Sequence, residues 1–180
     1  YQPKKIQSIQ KVDKRISLFY EKNNEFKGII NYLSTKSRGD IFQKIKITSS
    51  SVANNNESFS PINSILYEDE TRYFLSSAEK NSWICFDFQK YRVIPTHYTL
   101  RSFNASESEG AHPKSWVIEG SNNYNEWEIL DQQKDCNFLN GSNRVHTFTI
   151  NNQDQKDFRF LRMRQTMHNP LSPTPALLSP

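Results

Sequence analysis

The fold is decided by three runs within residues 81–121: SWICFDF at 82–88, VIPTHYTLRS at 93–102 and HPKSWVIEGS at 112–121. Each run is apolar, aromatic and β-branched, and polar turn residues bound it on both sides. This is the composition of core strands in an all-β domain. We therefore expect the rest of the chain to extend this sheet system or to lead into it.

Further strand-like segments follow the same composition on both sides of these runs. They are KIKIT at 44–48, WEIL at 127–130, VHTFTI at 145–150 and FRFLRMRQ at 158–165. Together the segments suggest about eight strands at turn-bounded intervals with no helix among them. This pattern predicts a mainly β protein, a jelly-roll β-sandwich rather than a parallel sheet with crossover helices.

The N-terminal region has helical periodicity instead. Residues 4–22 predict an amphipathic helix, because five apolar residues recur at spacings of three and four. Residues 25–36 predict a second, short helix that ends before Gly39. We thus expect a helical extension over 1–40, packed on the following domain or on a neighbouring chain, and a sandwich over 41–180. The apolar residues of the first helix are Ile6, Ile9, Val12, Ile16 and Phe19.

The charge, the apolar runs and the cysteine count limit the classes of partner and the cellular compartment that we predict. The net charge is +4, but the N-terminal lysines alternate with acidic residues, so no nucleic-acid partner is predicted. No apolar run reaches the roughly 18 residues of a membrane span. Two cysteines, Cys85 in an apolar run and Cys136 in a polar loop, do not make a secreted disulfide scaffold. We predict a cytoplasmic, intracellular protein.

Nothing in the sequence has the spacing of a catalytic or metal site. The four histidines form no pair at helical ligand spacing, and no Cys-x-x-Cys accompanies them. There is no glycine-rich phosphate loop and no Gly-x-Ser-x-Gly elbow. The prediction is a protein that is not an enzyme and that needs no metal and no cofactor.

Arginines on the predicted strands allow two interpretations. Arg162 and Arg164 alternate with Leu161 and Met163, and Arg101 ends another strand. Strand arginines can bind carboxylate, phosphate or sugar hydroxyls, and they can equally form structural salt bridges. The tryptophans at strand starts are expected in the core, with the indole N–H bonded to a loop carbonyl. These are Trp83, Trp116 and Trp127.

Residues 82–166 resemble the discoidin family, the coagulation factor 5/8 type C domains of the galactose-binding-like superfamily. The resemblance rests on SWICFDF, on VIPTHYTLRS, on PKSWVIEGSN followed by Trp127, and on FRFLRMRQT at 158–166. Together with FKGIINYL at 26–33, these segments are similar in sequence to an intracellular branch of the family. That branch occurs in unicellular eukaryotes beside BTB-type or ubiquitin-pathway modules.

The resemblance implies a jelly roll that binds a ligand through loops at one end. Secreted relatives use these loops for lipid head groups, sugars or proteins, and intracellular relatives mostly bind proteins or peptides. Two departures stand out. Neither cysteine lies near a domain end, where secreted members have a disulfide. The closing strand is represented only by its start, at residues 176–180, so we expect either a truncated last strand or a sandwich that is closed differently.

The leading functional hypothesis is a non-enzymatic module that recognises an intracellular protein through loops 67–78, 103–113 and 166–175. One alternative is a carbohydrate-binding module with Tyr73 or Tyr124 as its aromatic platform. Another is a structural subunit of a larger assembly, cytoskeletal or of the ubiquitin pathway, docked through its N-terminal helix. The candidate contact residues are Arg72, Tyr73, Arg101, His112, Arg164 and His168.

Overall fold

A computed structural model of the chain describes residues 15–66, 69, 71–104 and 112–167. This part is mainly β, as predicted, with one α-helix and seven strands. Four short 3-10 turns lie at Ile41–Gln43, Ala53–Asn55, Glu57–Phe59 and Pro61–Ile65. The regular elements are α1 (Ile29–Lys36), β1 (Lys46–Ser49), β2 (Trp83–Asp87), β3 (His97–Arg101), β4 (Trp116–Ser121), β5 (Glu128–Gln133), β6 (Val145–Thr149) and β7 (Phe160–Gln165).

The strands form two antiparallel sheets. Five strands follow the order β1-β2-β7-β4-β5, and β3 pairs with β6 in the second sheet. The last strand, β7, lies at the centre, where Arg162 is opposite Cys85 of β2 and Glu119 of β4. Directly opposed residues point to the same face of a sheet. The charged residues of β7 and β4 therefore share the outer face, while Ile118 and Met163 share the inner one.

One apolar cluster joins the two sheets. Trp116 of β4 is fully buried and meets Phe148 of β6 edge to face, with ring centroids 5.3 Å apart. Ile118 of β4 and Ile150, which directly follows β6, belong to the same cluster. Leu139, from the loop between β5 and β6, has no exposed surface and closes the cluster. Because apolar side chains alternate along these strands, one face of each sheet can be buried here.

A second apolar cluster attaches α1. Leu33, the buried residue of this helix, packs with Ile41, Ile45 and Phe88. The helix is shorter than the predicted 25–36 and ends as expected, because the Gly39 N–H donates to Ser34 O at 3.0 Å and Gly39 has φ +89°. The domain division at residue 40 stays a prediction.

The predicted helix over 4–22 is wrong for residues 15–22, which form neither helix nor strand. Residues 4–14 lie outside the described part. A short amphipathic helix is stable only when its apolar face is buried. Here Ile16 and Phe19 stay 55% and 86% exposed, so that burial is missing. No helix in the described residues has the length and apolar character needed to cross a membrane.

Candidate ligand-binding site

The candidate site lies at the end of the sandwich where β3 and β7 end and β4 and β6 begin, here called the loop end. Ser102, just after β3, anchors two loops there. Its N–H donates to Arg144 O at 2.8 Å and its hydroxyl donates to Gly141 O at 2.7 Å. The Arg144 N–H donates in turn to the Ser102 hydroxyl at 2.8 Å. These bonds fix residues 102–104 against residues 141–144.

An aromatic pair forms one part of the loop end. The rings of Tyr73 and Phe103 lie 4.0 Å apart between centroids, and Phe59 lies 5.3 Å from Tyr73. Tyr73 is held in place by the buried Asn63, whose amide donates to Tyr73 O at 3.2 Å and to Ser58 O at 2.7 Å. The structure thus brings together the loops around residues 73 and 103, which lie 30 residues apart in sequence.

Two arginines meet at Asp69. Arg72 Nε lies 3.1 Å from Asp69 Oδ2, and Arg101 Nη2 donates to Asp69 O at 3.4 Å. Hydrogen bonds from the Thr71 hydroxyl and backbone, helped by the nearby Arg72 charge, hold the pKa of the Asp69 carboxyl below its ordinary value. The ionised Asp69 carboxylate therefore positions the Arg72 guanidinium, while Arg101 is held by the backbone carbonyl of Asp69.

A polar cluster lies on the other side of the same end. His112 Nε2 is 2.9 Å from Asn140 Oδ1, the Lys114 ammonium contacts the same oxygen, and Asn140 Nδ2 donates to Asn137 Oδ1 at 3.2 Å. Burial lowers the pKa of His112, and the nearby Lys114 charge acts in the same direction. The imidazole is neutral at pH 7 and buried, so the polar groups that this cluster presents at the surface are the exposed Asn140 amide and the partly exposed Lys114 ammonium.

Four of the six predicted contact residues, Arg72, Tyr73, Arg101 and His112, share this end and are among the residues that line one cavity of about 1850 Å³. Residues of both apolar clusters line it as well. Small-ligand pockets usually hold about 300–1,000 Å³. The cavity is larger than that, so a small ligand would fill only part of it. His168 lies outside the described residues.

Arg164 lies apart from these four, on the outer face of the five-stranded sheet. Its Nη2 is 2.7 Å from Glu119 Oε1, and Arg162 Nη2 is 2.8 Å from Glu119 Oε2. The Arg162 guanidinium also stacks on Trp127, 3.8 Å from the ring centroid. Both arginines form structural salt bridges, one of the two interpretations that the sequence left open.

Glu119 is nearly buried between these arginines. Burial alone would raise the pKa of the Glu119 carboxyl, but the hydrogen bonds and charges of Arg164 and Arg162 outweigh it and hold that pKa below its ordinary value. Glu119 is therefore ionised, and its two oxygens are already bound by the two arginines. This cluster stabilises the sheet and leaves the loop end as the candidate site.

Several residues of the loop end were not among the predicted contact residues, although Phe103 and Asn104 belong to the predicted loop 103–113. Phe103, Asn104, Lys114 and Asn140 all lie there, and Ser142 Oγ donates to Asn104 Oδ1 at 2.9 Å. The Asn140-Gly141 turn marks a loop, but no local pattern links it to His112, 28 residues earlier. Tyr124, the other suggested platform, is at the opposite end and packs on Trp127 and Phe160.

No protein-family model matches the sequence, and no curated protein matches it significantly. Several solved structures are similar. A Clostridium perfringens module, CpGH89CBM32-5, in complex with GalNAc-β-1,3-galactose, is 11% identical, with TM-score 0.54 over 71% of this chain and 87% of that one. CBM62 of Clostridium thermocellum Xyl5A is 16% identical, with TM-score 0.52 over 71% and 86%.

A third similar structure is the family 32 carbohydrate-binding module of C. perfringens NanJ, in complex with galactose. It is 9% identical, with TM-score 0.50 over 72% of this chain and 87% of that one. The chain has the antiparallel β-sandwich fold of these modules. At these identities the similarity is one of fold, and a fold does not fix a function. Within the described residues, no group of His, Cys, Asp or Glu could hold a metal ion.

Proposed function

We propose that the protein is a carbohydrate-binding module that binds sugars at its loop end without catalysing a reaction. The observation that carries the proposal is the aromatic pair of Tyr73 and Phe103 at the same end as the His112–Asn140 cluster. A sugar ring has an apolar C–H surface and a rim of hydroxyls. Partly exposed rings can cover the first, and the exposed Asn140 amide, which the buried His112 ring contacts, can bind the second.

The similar solved structures support this proposal over recognition of a protein. Two of them contain galactose or a GalNAc-β-1,3-galactose disaccharide. These sugars are therefore the first ligands to test. Arg101 and Arg72, both fixed at Asp69, would add charge-assisted hydrogen bonds to hydroxyl groups.

The experiment is a glycan array, followed by calorimetric titration of galactose- and GalNAc-terminated oligosaccharides. Asn140→Ala removes the acceptor shared by His112 and Lys114, and we expect at least about tenfold weaker binding, or roughly 1.4 kcal/mol. Asn125→Ala is the matched control, because Asn125 is an exposed asparagine in the hairpin at the opposite end. Tyr73→Ala should also weaken binding, whereas Phe42→Ala, half-exposed and at the opposite end, should not.

A chain that binds no glycan on the array contradicts the proposal, provided its circular dichroism and unfolding are those of a folded protein. Equal loss of binding in Asn140→Ala and Asn125→Ala would also contradict it, because the loop end would then have no special role.

Recognition of an intracellular protein through the same end is the second candidate, and a different observation favours it. Phe138 is 63% exposed and stacks on His146, with ring centroids 4.1 Å apart and planes 3° from parallel. Exposed aromatics of this kind dominate protein-binding surfaces. Cys85 and Cys136 are both buried free thiols, which suits a reducing compartment.

The two candidates differ in which side chain matters. Protein recognition predicts that a partner captured from the native cell is lost with Phe138→Ala while glycan binding is absent. Carbohydrate recognition predicts that glycan binding depends on Asn140 and Tyr73. Capture that survives Phe138→Ala, Arg101→Ala and Asn140→Ala would argue against a protein site at this end.

A further inference from the structure

Residues 15–21, RISLFYE, carry apolar side chains that the described part of the protein leaves uncovered. Ile16 is 55% exposed, Leu18 38%, Phe19 86% and Tyr20 49%. Two contacts tie this region to the sandwich. Tyr20 stacks on His97 of β3 at 5.6 Å, and the Thr99 hydroxyl donates to Glu25 O at 3.2 Å. Four neighbouring apolar side chains with this much exposed area indicate a surface that binds another molecule.

The backbone of the same residues is also available. Among the hydrogen bonds between described residues, none has a backbone N–H of residues 15–22 as its donor. The seven residues contain no proline and no glycine, and their net charge is zero because Arg15 balances Glu21. Short segments with this composition pair readily with another strand.

We propose that residues 15–21 pair antiparallel with the same residues of a second copy, with Leu18 on the two-fold axis. This register places Arg15 of each copy opposite Glu21 of the other. The charge pattern of the segment selects this arrangement, since a parallel in-register pair would put Arg15 against Arg15 and Glu21 against Glu21. Like charges directly opposite each other destabilise a strand pair.

The neighbouring charges define where the pairing stops. One step beyond the Arg15–Glu21 pairs, Lys14 would face Lys22, which is repulsive. The pair is therefore limited to seven residues and closes on itself through its two-fold axis, so it gives dimers rather than fibres. In the paired state Ile16, Leu18 and Tyr20 share one face. The Tyr20–His97 stack directs that face toward β3.

A seven-residue strand pair is a small interface, so the dimer is weak, with a Kd in roughly the micromolar to millimolar range. Sedimentation equilibrium of the full chain over about 1 µM to 1 mM covers that range. We expect Arg15→Glu and Glu21→Arg each to weaken self-association by about tenfold or more, because each creates two like-charged pairs per dimer. An equimolar mixture of the two variants should associate at least as tightly as the wild type, because every charge then faces its opposite.

Two charge reversals elsewhere are the controls. Arg92→Glu and Glu57→Arg change exposed residues outside the segment and should leave the dimer unchanged. A wild-type chain that stays monomeric up to about 1 mM overturns the proposal. Single variants that dimerise like the wild type, or a mixture no tighter than its components, overturn it as well. These measurements involve no glycan, so they stand apart from the proposed sugar recognition.

Discussion

Trp116 Nε1 donates a hydrogen bond to the Tyr98 hydroxyl at 2.9 Å, and this bond joins the two sheets through the buried core. The Tyr98 hydroxyl donates onward to Asp131 Oδ2 of β5 at 2.6 Å. Burial, and then the hydrogen bond to Asp131, raise the pKa of Tyr98 well above its ordinary value. The hydroxyl therefore stays protonated at neutral pH, as its hydrogen bond to Asp131 requires.

Tyr98→Phe should lower the free energy of unfolding by about 1–3 kcal/mol, because the buried Trp116 N–H loses its acceptor and Asp131 loses a donor. Urea unfolding followed by tryptophan fluorescence measures this change. Tyr124→Phe, in the exposed hairpin between β4 and β5, serves as the control and should differ from the wild type by less than about 0.5 kcal/mol. A Tyr98→Phe variant as stable as the control would show that the inter-sheet bond contributes nothing.

Glu119→Gln should destabilise the protein by about 2–4 kcal/mol at pH 7, since Arg162 and Arg164 would keep their charges with no carboxylate between them. Glu57→Gln, at an exposed position in a 3-10 turn, is the control. The effect should depend on pH. A carboxyl whose pKa is lower in the folded state adds stability above its ordinary value of 4.5 and loses it as the pH falls through the folded pKa.

The stability difference between the wild type and Glu119→Gln should consequently shrink as the pH is lowered below about 4.5. Unfolding curves at a series of pH values test this. A difference that stays constant from pH 7 to pH 3 would mean that the ionised carboxylate is not the stabilising species.

Gly120→Ala should destabilise the protein by about 1–3 kcal/mol, because a Cβ at this position in β4 would lie 2.6 Å from Cδ1 of the Phe158 ring. Gly28→Ala is a matched control, since nothing lies within 4 Å of a Cβ there and Gly28 has an ordinary φ of −96°. The control should be destabilised by less than about 1 kcal/mol, because its one cost is that alanine is less favourable than glycine at the N-cap of α1. Equal thermal midpoints for the two variants would contradict the close approach of β4 and Phe158.

Leu139→Ala should cost about 2–5 kcal/mol, because this fully buried side chain fills the space beside Trp116 and leaves a cavity when truncated. Its neighbour Phe138 is 63% exposed, so Phe138→Ala should change stability much less. Chemical denaturation of both variants makes the comparison. A larger loss of stability in Phe138→Ala than in Leu139→Ala would contradict the burial of Leu139 in the core.

The strands and the fold class could be predicted from the residues alone. Alternation of apolar and polar residues has a period of two, which is a local property of the chain, and it is visible in runs such as SWICFDF and FRFLRMRQ. The predicted burial of Cys85 is confirmed, as is that of Trp116, and Arg162 and Leu161 point to the two different faces of β7. The helical spacing of apolar residues gave a wrong prediction for residues 15–22. A periodic pattern does not itself provide the neighbouring surface that must bury the apolar face of a helix.

Contacts between residues that are distant in the sequence became visible only in the folded structure. Glu119 and Arg164 lie 45 residues apart and form a salt bridge because β4 and β7 are neighbours at the centre of the sheet. Cys136 stands in a polar sequence yet is buried, because its loop folds over Trp116. Asn140 joins His112 at the candidate site through the same loop. Strand order and loop closure are long-range properties, and a local pattern does not encode which distant segments they bring together.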